Sequence, residues 1–321
     1  MTLRDILSNK PVIYEVVPPK LGSSESEIAR RIELLERVLQ DKRIDAINIP
    51  ELMERKETNG EVTYVPTTIP PEEYAAIIGD SKEKIANIVA PRLPQRDFIR
   101  RVRGLEKYDI RNLVLVGKAR HSDVLLGPSV VRAMELVSAM NEEHRGGKMG
   151  ILLGGICIFN RNKKTYHGYE APGRELDEYE RVAIKARHGC RFVTSQINYD
   201  SIAAIKFLTN YANYCKQTRG RPVTVFVSLS SIKSLSILSL LTKGLEVYIP
   251  SEIRRRLQQE PDRIGELSVD AATEVFSEII DSMKSNKIDI RIGLHIEQVS
   301  IAGADLSLEL LDRTYPLLKS L

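Results

Sequence analysis

The chain has 321 residues, 42% of them hydrophobic and 28% charged, with 47 lysines and arginines against 43 acids for a net charge of +4. The basic excess is spread along the chain, with no basic block longer than "IRRR" at 253–256, and tryptophan is absent. That excludes the concentrated basic face and aromatic platforms of a nucleic-acid binder. No run approaches the roughly 18 uninterrupted apolar residues of a membrane span, and "MTLRDILSNK" at 1–10 lacks an apolar signal-peptide core, so the expectation is a cytoplasmic, soluble protein.

In chain order, short β-rich runs alternate with helical patterns. The runs are "VIYEVV" at 12–17, "DAINI" at 45–49, "KIANIVA" at 84–90, "NLVLVG" at 112–117, "GILLGGICIF" at 150–159, "FVTSQ" at 192–196, "VTVFVSL" at 223–229 and "IRIGLHI" at 290–296. They are continuously apolar, the pattern of parallel strands covered on both faces. Between them, 26–40, 129–144, 175–189 and 270–285 carry helical spacing, with Ile28, Ile32, Leu35 and Leu39 on one stripe of the first. Eight strands interleaved with helices in about 320 residues predict a single-domain (β/α)8 TIM barrel over 1–321. No glycine-rich phosphate turn follows any strand, which weakens the nucleotide-binding open-sheet alternative. Cys157, Cys190 and Cys215 lack CxxC spacing and read as buried free thiols, with no metal site.

In such a barrel the functional groups lie at the carboxyl ends of the strands and in the loops that follow. That rule selects Glu15, Asn48, Pro50, Arg92, Gly117, Lys118, Gly155 to Asn160, Gln196, Ser228, His295 and Glu297. Glu15 is the most pointed of these, an acid inside an apolar strand, where a desolvated carboxyl keeps its proton near neutral pH and serves as a general acid. Structural readings stand beside the functional ones. Glu15 pairing with Lys118 or Arg92, His295 as a satisfied core histidine and Gln196 binding loop backbone all remain open.

Together the motifs resemble the methylenetetrahydrofolate reductase family. "YEVVPPK" at 14–20 is similar to that family's first strand, "APRLP" at 90–94 to its segment after the third, and "HGCRFVTSQINYD" at 188–200 to its Thr-Gln region. "YIPSEIRRRL" at 248–257 and "IGLHIEQVS" at 292–300 resemble its Ile-Pro segment and closing strand. Five matches in order cover the chain from about 11 to 300.

The resemblance implies a flavin-dependent barrel that reduces a methylene-tetrahydropterin, either methylenetetrahydrofolate or methylenetetrahydromethanopterin. Glu15 takes the place of the catalytic acid, and Gln196, Asn198, His295 and Glu297 take substrate-side positions. Pro50, Arg92, Gly117, Lys118, Ile156, Glu178 and Lys185 fall at cofactor-side positions. Several depart from the family pattern: Lys118 stands for an aspartate, Arg92 for a histidine and Ile156 for a flavin-stacking tyrosine. The cofactor expected is therefore FAD or FMN, or else no flavin, with NAD(P)H or a deazaflavin coenzyme giving hydride directly. A tetrahydropterin methyltransferase or a non-catalytic pterin-binding partner subunit is the alternative. A homo-oligomer is expected, with a hetero-complex also open.

Overall fold

The computed structural model describes residues 2–58, 61–79, 81–117, 126–143, 150–161, 163–166 and 171–321. Eight parallel strands close into a barrel: β1 (Val12–Val16), β2 (Ala46–Ile49), β3 (Glu83–Val89), β4 (Asn112–Val116), β5 (Leu152–Cys157), β6 (Cys190–Ser195), β7 (Thr224–Leu229) and β8 (Ile292–Gln298). Each pairs with its sequence neighbours, and β8 closes on β1 with Glu15 level with Glu297. This is the (β/α)8 architecture the alternation implies, and no strand boundary lies more than two residues from the run read in the sequence.

The sequence explains the helices between the strands. The helix Glu25–Gln40 starts at Ser24, whose hydroxyl accepts the Glu27 N–H, and places Glu25 and Glu27 at the positive end of its dipole. The helix Glu178–Arg187 starts in a capping box formed by Asp177 and Glu180. The helix Ile264–Ser285 begins six residues before the expected 270. Two antiparallel hairpins are added to the barrel, Met53–Thr58 with Glu61–Pro66 and Lys164–Thr165 with Glu175–Leu176. The strands of the first flank the dipeptide Asn59-Gly60 in the sequence, the strongest short-range hairpin signal in the chain.

Strand alternation sends every second side chain into the barrel. Low in the interior lie Ile13, Ala46, Ile85, Val114, Leu152, Phe192 and Phe226, all buried. Leu3, Ile6 and Leu7 of the N-terminal turn pack on the same cluster and plug the amino end of the barrel. Phe192 and Phe226 meet edge to face, with centroids 5.7 Å apart and planes at 80°. Gly154 and Gly293 make room for them, since a Cβ at Gly154 would lie 2.4 Å from the Phe192 ring and one at Gly293 2.6 Å from the Phe226 ring.

Among the described residues no helix is long and apolar enough to cross a membrane. Cys157, Cys190 and Cys215 are buried and free.

Candidate functional site

Two residues further along the same strands the interior turns polar. Ile13 is followed by Glu15, Ala46 by Asn48, Ile85 by Asn87, Phe192 by Thr194, Phe226 by Ser228 and Gly293 by His295 and then Glu297. The same alternation that points the lower residues inward points these inward at the carboxyl end. Register then fixes the neighbours: Glu15 stands between Asn48 and Glu297, and Ser228 beside His295.

Contacts among these side chains are close. Asn48 Nδ2 donates to Glu15 Oε2 at 2.8 Å and lies 3.5 Å from His295 Nε2. His295 Nε2 is 4.0 Å from Glu15 Oε2, while His295 Nδ1 is 2.8 Å from Ser228 Oγ and 3.4 Å from Glu297 Oε1. The Ser228 hydroxyl donates to the Ser195 carbonyl at 2.7 Å, and Ser195 Oγ accepts the Ser228 N–H at 2.9 Å.

Burial sets the charge states. Desolvation raises the Glu15 carboxyl to about 7, with the Asn48 hydrogen bond opposing it. Desolvation and the Glu15 charge beside it push Glu297 well above the ordinary carboxylate range, and a hydrogen bond from Ser228 draws it partly back. Two acids this close in a dry site cannot both ionise readily, so the pair keeps a proton at neutral pH. Desolvation drives His295 down to about 3, so its imidazole is neutral. The sequence alone assigns the proton to Glu15; the second acid across the β1 and β8 register makes the pair the proton-holding unit.

Several buried polar atoms beside this pair have no partner: Asn48 Oδ1, Asn87 Oδ1 and Asn198 Nδ2. Desolvated amide groups left unpaired are costly, and a polar ligand relieves that cost. The strand-end rule passes over Asn87, although it carries the same signal as Glu15, a lone polar residue in an apolar run.

The remaining sequence candidates divide. Ile156 faces the mouth and packs partly on the lower cluster, and Gly117 follows β4 with Val130 Cγ2 3.5 Å from where its Cβ would be. Pro50 is buried directly after β2. Gln196 donates its amide to the Leu245 carbonyl at 2.8 Å, the backbone-binding role the sequence left open. Asn198 donates its N–H to the Ser228 carbonyl at 2.9 Å and holds the Asp200 N–H through Oδ1. Lys118 lies outside the described residues.

Arg92 does not pair with Glu15. Glu51 holds it at 3.0 Å, together with Arg101 at 2.6 Å and the Val89 N–H at 2.8 Å, so it belongs to a buried network that locks the loops after β2 and β3. Glu178 accepts the Ile158 N–H at 3.2 Å and pairs with Arg161 at 2.9 Å, while Lys185 donates to the Ile156 carbonyl. The groups that the family resemblance offers to a flavin from this helix are thus engaged within the chain. They do not fit a flavin held in that manner.

A cleft of about 1160 Å³ lies at the opposite, amino end of the strands, lined by Arg4, Arg187, Arg191, Arg221 and Arg291 among others. Its walls also carry Glu135, Asn141, Glu142 and His188, but not two acids level with each other on neighbouring strands as Glu15 and Glu297 are. The paired acids therefore favour the mouth over the cleft as the candidate site.

The molecule is a (β/α)8 barrel with an acid-bearing polar mouth. No family model matches the chain, and no curated protein matches it. Among solved structures, an uncharacterized protein from Clostridium thermocellum that binds two copies of 5-methyl-5,6,7,8-tetrahydrofolic acid superposes with a TM-score of 0.75 at 23% identity, over 98% of this chain and 99% of that one. Two structures of a proposed deoxyribose-phosphate aldolase from Toxoplasma gondii ME49 align at 10% identity over 98% of this chain and 96% of theirs. Their TM-scores, 0.44 and 0.43, are too low to carry an argument.

Proposed function

We propose that the chain binds a tetrahydropterin in the barrel mouth and reduces its methylene form to the methyl form, with the Glu15 and Glu297 pair supplying the proton. The observation that carries this reading is the pair itself, two adjacent desolvated carboxyls that hold a proton near neutrality beside a neutral His295. The unpaired amide atoms of Asn48 and Asn87 suit the donor and acceptor edge of a pterin. The tetrahydrofolate-binding barrel from Clostridium thermocellum supports the choice of ligand class.

The proton balance is simple. Glu15 gives its proton to the nitrogen that leaves the methylene bridge, that carbon–nitrogen bond breaks, and an iminium remains on the other nitrogen. Hydride adds to the iminium carbon and makes the methyl group. Glu15 then regains a proton from Glu297 or from water. Because Glu178 and Lys185 are engaged within the chain, hydride from NAD(P)H or a reduced deazaflavin coenzyme is the preferred source.

The same engagement favours a second reading, a barrel that binds the methyl-tetrahydropterin without redox chemistry, as a methyltransferase or as a partner subunit. One experiment separates the two. Methylene-tetrahydrofolate is incubated with the protein and NADH, NADPH or a reduced deazaflavin in turn, and methyl product is measured by chromatography. Reduction is expected with at least one donor, and Glu15→Gln is expected to lower it by about 100-fold. Tight binding of the methyl form with no product from any donor would select the second reading.

A further inference from the structure

Ser228 sits on β7, outside the acid pair, yet its hydroxyl touches three groups that bear on it. Its oxygen lies 2.7 Å from the Ser195 carbonyl and 2.8 Å from His295 Nδ1, and it also reaches Glu297. A hydroxyl has one proton and can give it to only one of these. The Ser195 carbonyl is an acceptor only, whereas the imidazole nitrogen and the proton-sharing Glu297 carboxyl can each be donor or acceptor. With the serine proton on the Ser195 carbonyl, His295 Nδ1–H donates to Ser228 Oγ and both contacts are satisfied.

The other side of the ring gives the same result. Asn48 Nδ2, a donor, lies 3.5 Å from His295 Nε2. A proton on Nε2 would set donor against donor, while a bare Nε2 accepts. We infer that Ser228, backed by the Ser195 carbonyl, is a positioning residue that fixes His295 as the Nδ1–H tautomer and turns the Nε2 lone pair toward Glu15.

The consequence for the mouth is electrostatic. A lone pair 4.0 Å from Glu15 Oε2 lies beyond hydrogen-bond reach, but through space it disfavours the ionised carboxylate. In the opposite tautomer the Nε2–H dipole would face the carboxylate and favour loss of its proton. The charged and titratable groups facing Glu15 and His295 among the described residues are Glu297 and each other. Asn48, Asn87, Thr194 and Ser228 from β2, β3, β6 and β7 are neutral, as are Val116 and Ile156 from β4 and β5. Ser228 thus regulates the proton of the acid pair without touching Glu15.

This inference rests on the site of the proposed function but not on its ligand, so the test is run without pterin. Nitrogen-15 spectra of the five histidines, with His295 assigned by its loss in His295→Gln, report which ring nitrogen carries the proton. Wild type is expected to show a protonated Nδ1 and a bare Nε2, with no conversion to imidazolium between about pH 5 and 8. In Ser228→Ala the Nε2–H form is expected to become detectable, with the Glu15 carboxyl, followed by carbon-13 labelling, titrating at lower pH. Ser228→Thr keeps the hydroxyl and is expected to retain the wild-type tautomer. A wild-type Nε2–H signal would overturn the inference even if neither variant folds, as would an unchanged tautomer and Glu15 titration in a folded Ser228→Ala protein. Failure to bind a pterin would refute the proposed function and leave these spectra unaffected.

Discussion

The lower and upper halves of the barrel interior are built from the same strands, two residues apart, and they differ in almost every physical respect. Below, Ile13, Ala46, Ile85, Phe192 and Phe226 form a dry cluster sealed by Leu3, Ile6 and Leu7. Above, Glu15, Asn48, Asn87, Thr194 and Ser228 take the next inward positions, and His295 and Glu297 complete the ring. The lower half is what a packing requirement produces: volume filled, no polar atom stranded. The upper half keeps two acids together and leaves Asn48 Oδ1 and Asn87 Oδ1 without partners, an arrangement that costs stability and that packing alone does not explain. Such a cost at one end of a barrel whose other end is filled efficiently is what makes the mouth the candidate site.

The difference can be broken from either side. The largest expected effect is on stability: Phe192→Ala should remove about 3–5 kcal/mol, measured by denaturant unfolding, because the ring fills the lower interior between Gly154 and Phe226. Next comes function. Glu15→Gln should lower turnover by about 100-fold, near 2.7 kcal/mol of transition-state stabilisation, yet leave unfolding stability at neutral pH unchanged or raised. Smaller again is Gly154→Ala, whose Cβ would meet the Phe192 ring at 2.4 Å. The overpacking should destabilise by about 1–3 kcal/mol while pterin binding persists in the folded fraction.

The smallest effect sharpens the contrast through pH. Glu15 titrates near 7 in the folded chain against 4.5 for an ordinary glutamate, so between those values the folded state binds more protons than the unfolded one. Stability contributed by this group is therefore greatest at acid pH and falls as pH rises from about 4.5 to about 7. Glu297 acts in the same direction, since it too is raised. Thermal melts across that window should slope downward in wild type and less steeply in Glu15→Gln, whereas Phe192→Ala should shift the whole curve without changing its slope.

Much of this division is legible in the sequence. Continuous apolar runs locate all eight barrel strands, and a charge within one of them singles out Glu15. The strand-end rule reaches His295, Glu297 and Ser228 as well. What sequence does not supply is register, because the neighbours of Glu15 lie 33 residues away at Asn48 and at the far end of the chain at Glu297. For the same reason the sequence does not show that Arg92 pairs with Glu51 rather than with Glu15. The N-terminal plug escapes a sequence reading because "TLRDIL" is too short to carry a periodic signal of its own. Glu178 and Lys185 lie on a helix of the expected place and sequence, but only side-chain geometry reveals that they bind the end of β5 and the loop that follows it.

The central claim is that the polar mouth, and not the cleft at the amino end, is the pterin site. Calorimetric titration of 5-methyltetrahydrofolate into wild type, Ile156→Trp and Arg191→Glu tests it directly, since the first substitution fills the mouth and the second reverses a charge in the cleft. Binding to wild type and to Arg191→Glu, with at least a tenfold loss in Ile156→Trp, is the predicted result. Binding that survives Ile156→Trp and fails in Arg191→Glu, or no binding to the wild-type protein, would contradict it.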